Sequence, residues 1–204
     1  MKKIKILCFK KFLLTFALAI TIIPSQKVKT LPFLSKIPFV SHVPFIGDNF
    51  HAVEKYQFYR SNQLPSKSLK KYINKYGIKS VLNLRGQNDK KWWYKERNAC
   101  EKMKVQLYNI ALTETKLPTK SQIEEILDVF DNAQKPILVH CKSGVDRTGM
   151  ISALWALDKQ HRSKKNALKQ LSLFYGHVKL SHSSMTKFIN MWQGRDWFFN
   201  SYNF

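Results

Sequence analysis

Apolar and polar positions along this chain follow two different periods, and the switches between them mark out the elements. Residues 58–60, 79–84, 105–112 and 137–139 are short runs rich in β-branched, aromatic and other apolar residues, which predict strands. Residues 66–76, 92–103 and 119–132 space their apolar residues at helical intervals, and Gly77 stands where the first of these helices should stop. Further helices are predicted near 148–160, 164–175 and 182–192. Strands alternating with helices of this length predict an α/β fold, a central mostly parallel sheet flanked by helices on both faces in a single domain. Ligands of such sheets gather at the carboxyl ends of the strands. Cys141, Arg85 and the loop 111–118 fall at those ends, and Arg60 lies close to the end of its own strand.

The termini read differently. Residues 1–30 hold seven lysines, no acids and an apolar block from Phe12 to Ile23, the pattern of a signal sequence or an N-terminal membrane anchor. The block is shorter than the ~20 residues that cross a bilayer comfortably. Positive-inside orientation then sends the domain to the non-cytoplasmic side, in the cell envelope. Residues 31–48 form three six-residue units with Pro32, Pro38 and Pro44 in register, each followed by a phenylalanine. Proline at that spacing excludes a helix and favours polyproline II, either a stiff apolar strap or a plain linker. The domain is expected over 49–193. A tail, 194–204, carries five aromatics, suited to packing back on the domain or to a partner or membrane contact.

Charge narrows the partners. A net charge of +22 on 204 residues attracts anions: phosphorylated proteins, inositol phosphates, acidic lipids or nucleic acid. The lysines are scattered and no nucleic-acid-binding motif is present, so specific nucleic-acid recognition is not expected. Cys8, Cys100 and Cys141 form neither a metal-ligand spacing nor an even disulfide framework, so no metal and no cofactor is expected. Cys100 reads as core filler or, in an oxidising compartment, as a disulfide partner of Cys141.

The chemistry concentrates in residues 136–149. A buried strand ends at His140-Cys141, a tight loop follows, and a helix opens near Thr148. Strand, loop and helix N-terminus make an anion site, because backbone N–H groups converge there and the helix dipole favours negative charge. A thiol in that field becomes more acidic and hence a better nucleophile at neutral pH. Five residues on, the planar fork of Arg147 suits two oxygens of one phosphate. These parts are equipment for covalent phosphoryl transfer.

The run His140-Cys141-Lys142-Ser143-Gly144-Val145-Asp146-Arg147-Thr148-Gly149 resembles the phosphate-binding loop of the cysteine-dependent tyrosine and dual-specificity phosphatases. Asn49-Phe50-His51, residues 59–63, 81–86 and 170–177 resemble bacterial members that carry an N-terminal membrane segment, and the likeness covers roughly residues 48–192. It implies attack by Cys141 on phosphorus and then hydrolysis of a phosphocysteine. The phosphate oxygens would be held by Arg147 and by the loop from Lys142 through Ser143, Gly144, Val145 and Asp146 to Thr148. Thr148 would also hydrogen-bond the thiolate, and His140 would order the loop. The chain departs from the common pattern in its proton donor. Loop 111–118, where many relatives place an aspartate, has only Glu114. Asp146 resembles the loop aspartate of some phosphatases, so both remain candidates for the general acid. Arg85 is a candidate second anion contact at the mouth.

The expected substrate is a phosphorylated protein or another anionic phosphate ester, with a tyrosine or dual-specificity protein phosphatase as the first reading. A phosphoinositide or inositol-phosphate phosphatase is the alternative within the class. A rhodanese-like sulfurtransferase or a non-enzymatic phosphate-binding module are the alternatives outside it.

Overall fold

The computed structural model describes residues 47–178 and 183–204. The leader 1–30 and nearly all of the repeat 31–48 lie outside the described residues, and with them the expectations of an anchor and a strap. Among the described residues no helix is long and apolar enough to cross a membrane.

Five strands form one sheet: β1 (His51–Glu54), β2 (Phe58–Ser61), β3 (Ser80–Asn83), β4 (Gln106–Asn109) and β5 (Ile137–His140), in the order β1-β2-β5-β3-β4. Pairs β2·β5, β5·β3 and β3·β4 are parallel, and β1 adds to the edge antiparallel to β2. The helices between them are α1 (Ser66–Tyr76), α2 (Lys91–Lys102) and α3 (Lys120–Asn132). After β5 come α4 (Asp146–Asp158), a single turn α5 (Lys164–Ala167), two 3₁₀ turns, α6 (Ser183–Met191) and α7 (Arg195–Ser201). The mostly parallel α/β sheet expected from the alternation is the fold observed.

Period two along the strands divides the core. Phe58, Leu82, Ile137 and Val139 face the side covered by α3, α4, α6 and α7, whereas Tyr59, Val81 and Leu138 face α1 and α2. Because β5 is the central strand, its whole length is buried. Helix α4 behind it is apolar nearly all round, with nine consecutive buried residues from Thr148 to Ala156. The surface helices follow the one-sided rule. Leu69 and Ile73 are the buried stripe of α1, which Gly77 ends, and a reciprocal capping box between Thr119 and Gln122 starts α3.

Three elements differ from expectation. Strand β1 was not expected: none of its four residues is fully buried, and its pairing with β2 shifts register between Ala52 and Glu54. Helix α4 begins two residues early, at Asp146, so Arg147 is itself helical. The expected helix 164–175 breaks after Ala167 into turns at Leu168–Gln170 and Leu173–Tyr175. This segment lies directly on α4, where a Cβ on Gly149 would stand 2.8 Å from the Gln170 carbonyl oxygen.

The aromatic tail packs inward. Phe198 and Tyr202 are in the main core cluster, and the Tyr202 hydroxyl donates to the Pro118 carbonyl at 2.5 Å. Arg195 ties the start of α7 to Asp131 of α3 and Asp158 of α4. Its proximity, with Lys159 also bonded, lowers the Asp131 pKa to about 2.

Candidate active site

Cys141 follows the last residue of the central strand and is 1 % exposed. Burial alone would raise its pKa. The Arg147 guanidinium, the Thr148 hydroxyl and the backbone amides of Thr148 and Gly144 outweigh that burial, so the thiol is more acidic than an ordinary cysteine. Buried Thr148 Oγ1 has no other hydrogen-bond partner among the described residues. The amides converge because Gly144 has φ +72°, a conformation that costs other residues energy. A side chain there would also collide with the end of β2, with a Cβ only 2.6 Å from the Ser61 carbonyl.

Arg147 reaches over the loop to the neighbouring strand ends. Its Nη1 donates to the Leu112 carbonyl at 3.1 Å and to the Leu84 carbonyl at 3.4 Å, and its Nε lies 3.3 Å from Glu114 Oε2. Among the described residues the guanidinium is thus engaged through Nη1 and Nε. Arg147 and Glu114 line a cleft of ≈ 450 Å³, together with Arg85, Lys90, Trp92 and Lys142.

The two candidate acids are placed differently. Glu114 lines the cleft, half-exposed, against Arg147. Asp146 is not among the residues lining that cleft; its Oδ1 is 2.7 Å from Nδ1 of the buried His177. The sequence-based suggestion of a Cys100–Cys141 disulfide is overturned. Both cysteines are free, and they belong to core clusters on opposite faces of the sheet. Burial pushes the Cys100 thiol up to about 12, with Glu96 and Glu101 adding to the effect.

Several contacts that brace the loop escaped the sequence. Arg60 is fully buried; its Nη2 donates to the Gly144 carbonyl and its Nη1 to the Gln170 carbonyl and side chain, each at 2.8 Å. Its guanidinium lies 3.8 Å from the centre of the Tyr175 ring. Burial lowers its pKa to about 10, still well above neutrality. Asn49 donates through Nδ2 to the carbonyls of Ser143, Gly144 and Tyr175. On the other side His140 stands 2.9 Å from Glu96, both buried, and faces the Cys141 carbonyl through Nδ1. Burial opposes its charged form, but Glu96 prevails and raises its pKa. The weak sequence motifs at 49–51, 59–63, 81–86 and 170–177 are thus the segments that surround the loop.

Comparison with known proteins completes the picture. Residues 32–187 match the family described as DSP-PTPase phosphatase fused to NAD+ kinase. The chain belongs to that phosphatase family. No curated protein matches the sequence at a significant level. Solved structures resemble the fold at low identity. TpbA of P. aeruginosa superposes with a TM-score of 0.57 at 18% identity, covering 70% of this chain and 84% of TpbA. A TpbA variant solved in complex with pTyr has a TM-score of 0.59 at 17% identity, covering 71% and 85%. The catalytic core of the S. cerevisiae PP-IP phosphatase SIW14, in complex with citrate, has a TM-score of 0.58 at 23% identity, covering 72% and 86%.

For this DSP-PTPase phosphatase, Arg60 was the residue hardest to foresee. Apart from its place in the 59–63 segment, its sequence signal was a charged residue inside a strand that proves buried along its whole length. A cation there demands partners, and the partners are carbonyls distant in sequence.

Proposed function

We propose that the chain hydrolyses phosphate monoesters through a phosphocysteine intermediate. The Cys141 sulfur attacks phosphorus in line, the bond from phosphorus to the ester oxygen breaks, and the leaving oxygen takes a proton from a carboxylic acid. Water then attacks the phosphocysteine, returning a proton to that carboxylate and releasing phosphate and thiolate. The observation that carries this reading is a buried thiol that accepts from the Gly144 and Thr148 amides and is made more acidic by the nearby Arg147 guanidinium.

Arg147 and the loop from Lys142 to Thr148 serve in this reading as the oxyanion cradle. Glu114 is the better-placed proton donor, since it lines the cleft while Asp146 is bonded to His177. Asp146 then acts as a brace between the loop and the segment before α6.

The test is hydrolysis of aryl phosphates and phosphotyrosine peptides by the full chain, with acid-quench trapping of the phosphoenzyme. Cys141→Ser should abolish both turnover and trapped phosphate; persistent turnover sinks the reading. Glu114→Gln should slow substrates with poor leaving groups far more than those with good ones, whereas Asp146→Asn should slow both alike. The opposite pattern reassigns the acid. Thiosulfate-to-cyanide transfer, assayed on the same protein, tests the sulfurtransferase alternative. Placement in the cell envelope, read from the leader, is checked by fractionation of cells making the full chain.

A further inference from the structure

The cleft holds more positive charge than one phosphate requires. A monoester bound over Cys141 faces Arg147 and the loop amides, yet Arg85, Lys90 and Lys142 also line the same ≈ 450 Å³ space. Glu114 is the one carboxylate among the lining residues.

Arg85 is built into place rather than trailing in solvent. Its guanidinium lies 3.5 Å from the centre of the Trp92 ring, and its Nη1 donates to Gln63 Oε1 at 2.9 Å. Gln63 in turn donates to Glu96 at 2.7 Å, so the Arg85 anchor is itself held by the buried pair beneath the loop. Among the described residues Gln63 is the only acceptor for that guanidinium. Half-burial and the nearby Arg147 both work against the Arg85 charge. Two fixed guanidinium groups that disfavour each other are a standing electrostatic cost, which an extra anion between or beside them removes.

The aromatic surface points the same way. Arg85 covers one face of the Trp92 ring and leaves less of that ring for stacking with an aromatic substrate. With that face taken, the rim offers charge more than apolar area.

We infer that Arg85, Lys90 and Lys142 bind a second phosphate group of the substrate, so that the cleft takes a small molecule bearing two neighbouring phosphates. This rests on the phosphatase reading above and names its substrate class. The same chemistry is present in a soluble inositol polyphosphate and in the headgroup of a phosphoinositide.

Two measurements on the full chain separate the possibilities. The first is calorimetric binding to Cys141→Ser, which needs no turnover. A vicinal inositol bisphosphate should bind at least about ten-fold tighter than an inositol monophosphate. Arg85→Gln and Lys90→Gln, each combined with Cys141→Ser, should bring that ratio below about three-fold. Equal affinity for the two ligands, or variants that weaken both alike, would overturn the second subsite. The second is kcat/KM on the same pair, with the bisphosphate offered free and as a phosphoinositide in neutral-lipid vesicles. Preference for either bisphosphate form over the monophosphate supports the subsite, and the favoured form names the source. No preference overturns it. Absence of turnover on every ester, aryl phosphates included, instead sinks the phosphatase reading and leaves the binding ratio to judge the subsite.

Discussion

Arg60 Nη2 donates to the Gly144 carbonyl at 2.8 Å from a site with no solvent exposure. That bond joins the second strand to the apex of the loop across 84 residues of chain. The Gly144 carbonyl is thus held by Arg60 while its amide, with that of Thr148, bonds the Cys141 sulfur. The fork is completed by the Gln170 carbonyl, which a continuous helix over 164–175 would have engaged within itself. Breaking that helix therefore supplies an acceptor for the loop's brace.

Arg60→Met should reveal how much the brace contributes. It strands the Gly144 and Gln170 carbonyls in the interior, for an expected loss of about 2–4 kcal/mol in urea unfolding. kcat/KM on an aryl phosphate should fall about ten- to hundred-fold through misplacement of the loop. Arg60→Lys should recover only part of either, since one ammonium cannot satisfy the separated acceptors as a planar fork does.

A methyl group at Gly149 should act on the same contact from the opposite side. Its Cβ would lie 2.8 Å from both the Gln170 carbonyl oxygen and Leu171 Cδ2. Gly149→Ala is expected to cost about 1–3 kcal/mol. Combined with Arg60→Met it should be less than additive, because both changes disrupt one contact. Strict additivity in the double-mutant cycle would show that the segment and the brace act independently.

The Cys141 thiol should ionise below the ordinary cysteine value of 9.0. A lowered pKa means that the reactive thiolate accumulates at lower pH, so iodoacetamide inactivation should rise with an apparent midpoint under that value. Thr148→Ala should move the midpoint upward. Arg147→Met should move it upward too, and should cut kcat on an aryl phosphate about a hundred- to thousand-fold. An unmoved midpoint in both variants would mean that the amides alone acidify the sulfur.

His140 has its pKa raised above 6.5, because the adjacent Glu96 outweighs burial. The sign follows from proton uptake: the folded state holds the proton more tightly than the unfolded chain. The resulting stabilisation is fully present below about pH 6.5 and is lost as pH rises through the folded-state pKa. Urea unfolding between about pH 5 and about pH 9 should show that decline in the native chain and a flatter profile in Glu96→Gln.

Cys100 should behave as an inert thiol. Both cysteines are buried, but the Cys100 pKa of about 12 leaves almost no thiolate at neutral pH, whereas that of Cys141 is lowered. Mass-spectrometric mapping after brief alkylation of the native protein should find Cys141 modified and Cys100 untouched until denaturant is added. A Cys100–Cys141 disulfide peptide after mild oxidation would contradict their placement on opposite faces of the sheet.

Much of this was open to reading before any coordinates. Periodicities of two and of three to four residues located β2 to β5 and the helices between them, because each element must bury one face or one stripe. The spacing of Cys141, Gly144 and Arg147 at a strand–helix junction located the proposed anion cradle, because converging amides and a helix N-terminus are local features. What stayed hidden was non-local. The bonds from Asn49 and Arg60 to the loop, the pairing of His140 with Glu96, and the separation of Asp146 from the cleft join residues tens of positions apart. A buried polar group must find a partner, but the sequence states only the need. The register of the strands and the packing of α4 decided which partner it met, since only a closed tertiary structure brings those groups within bonding distance.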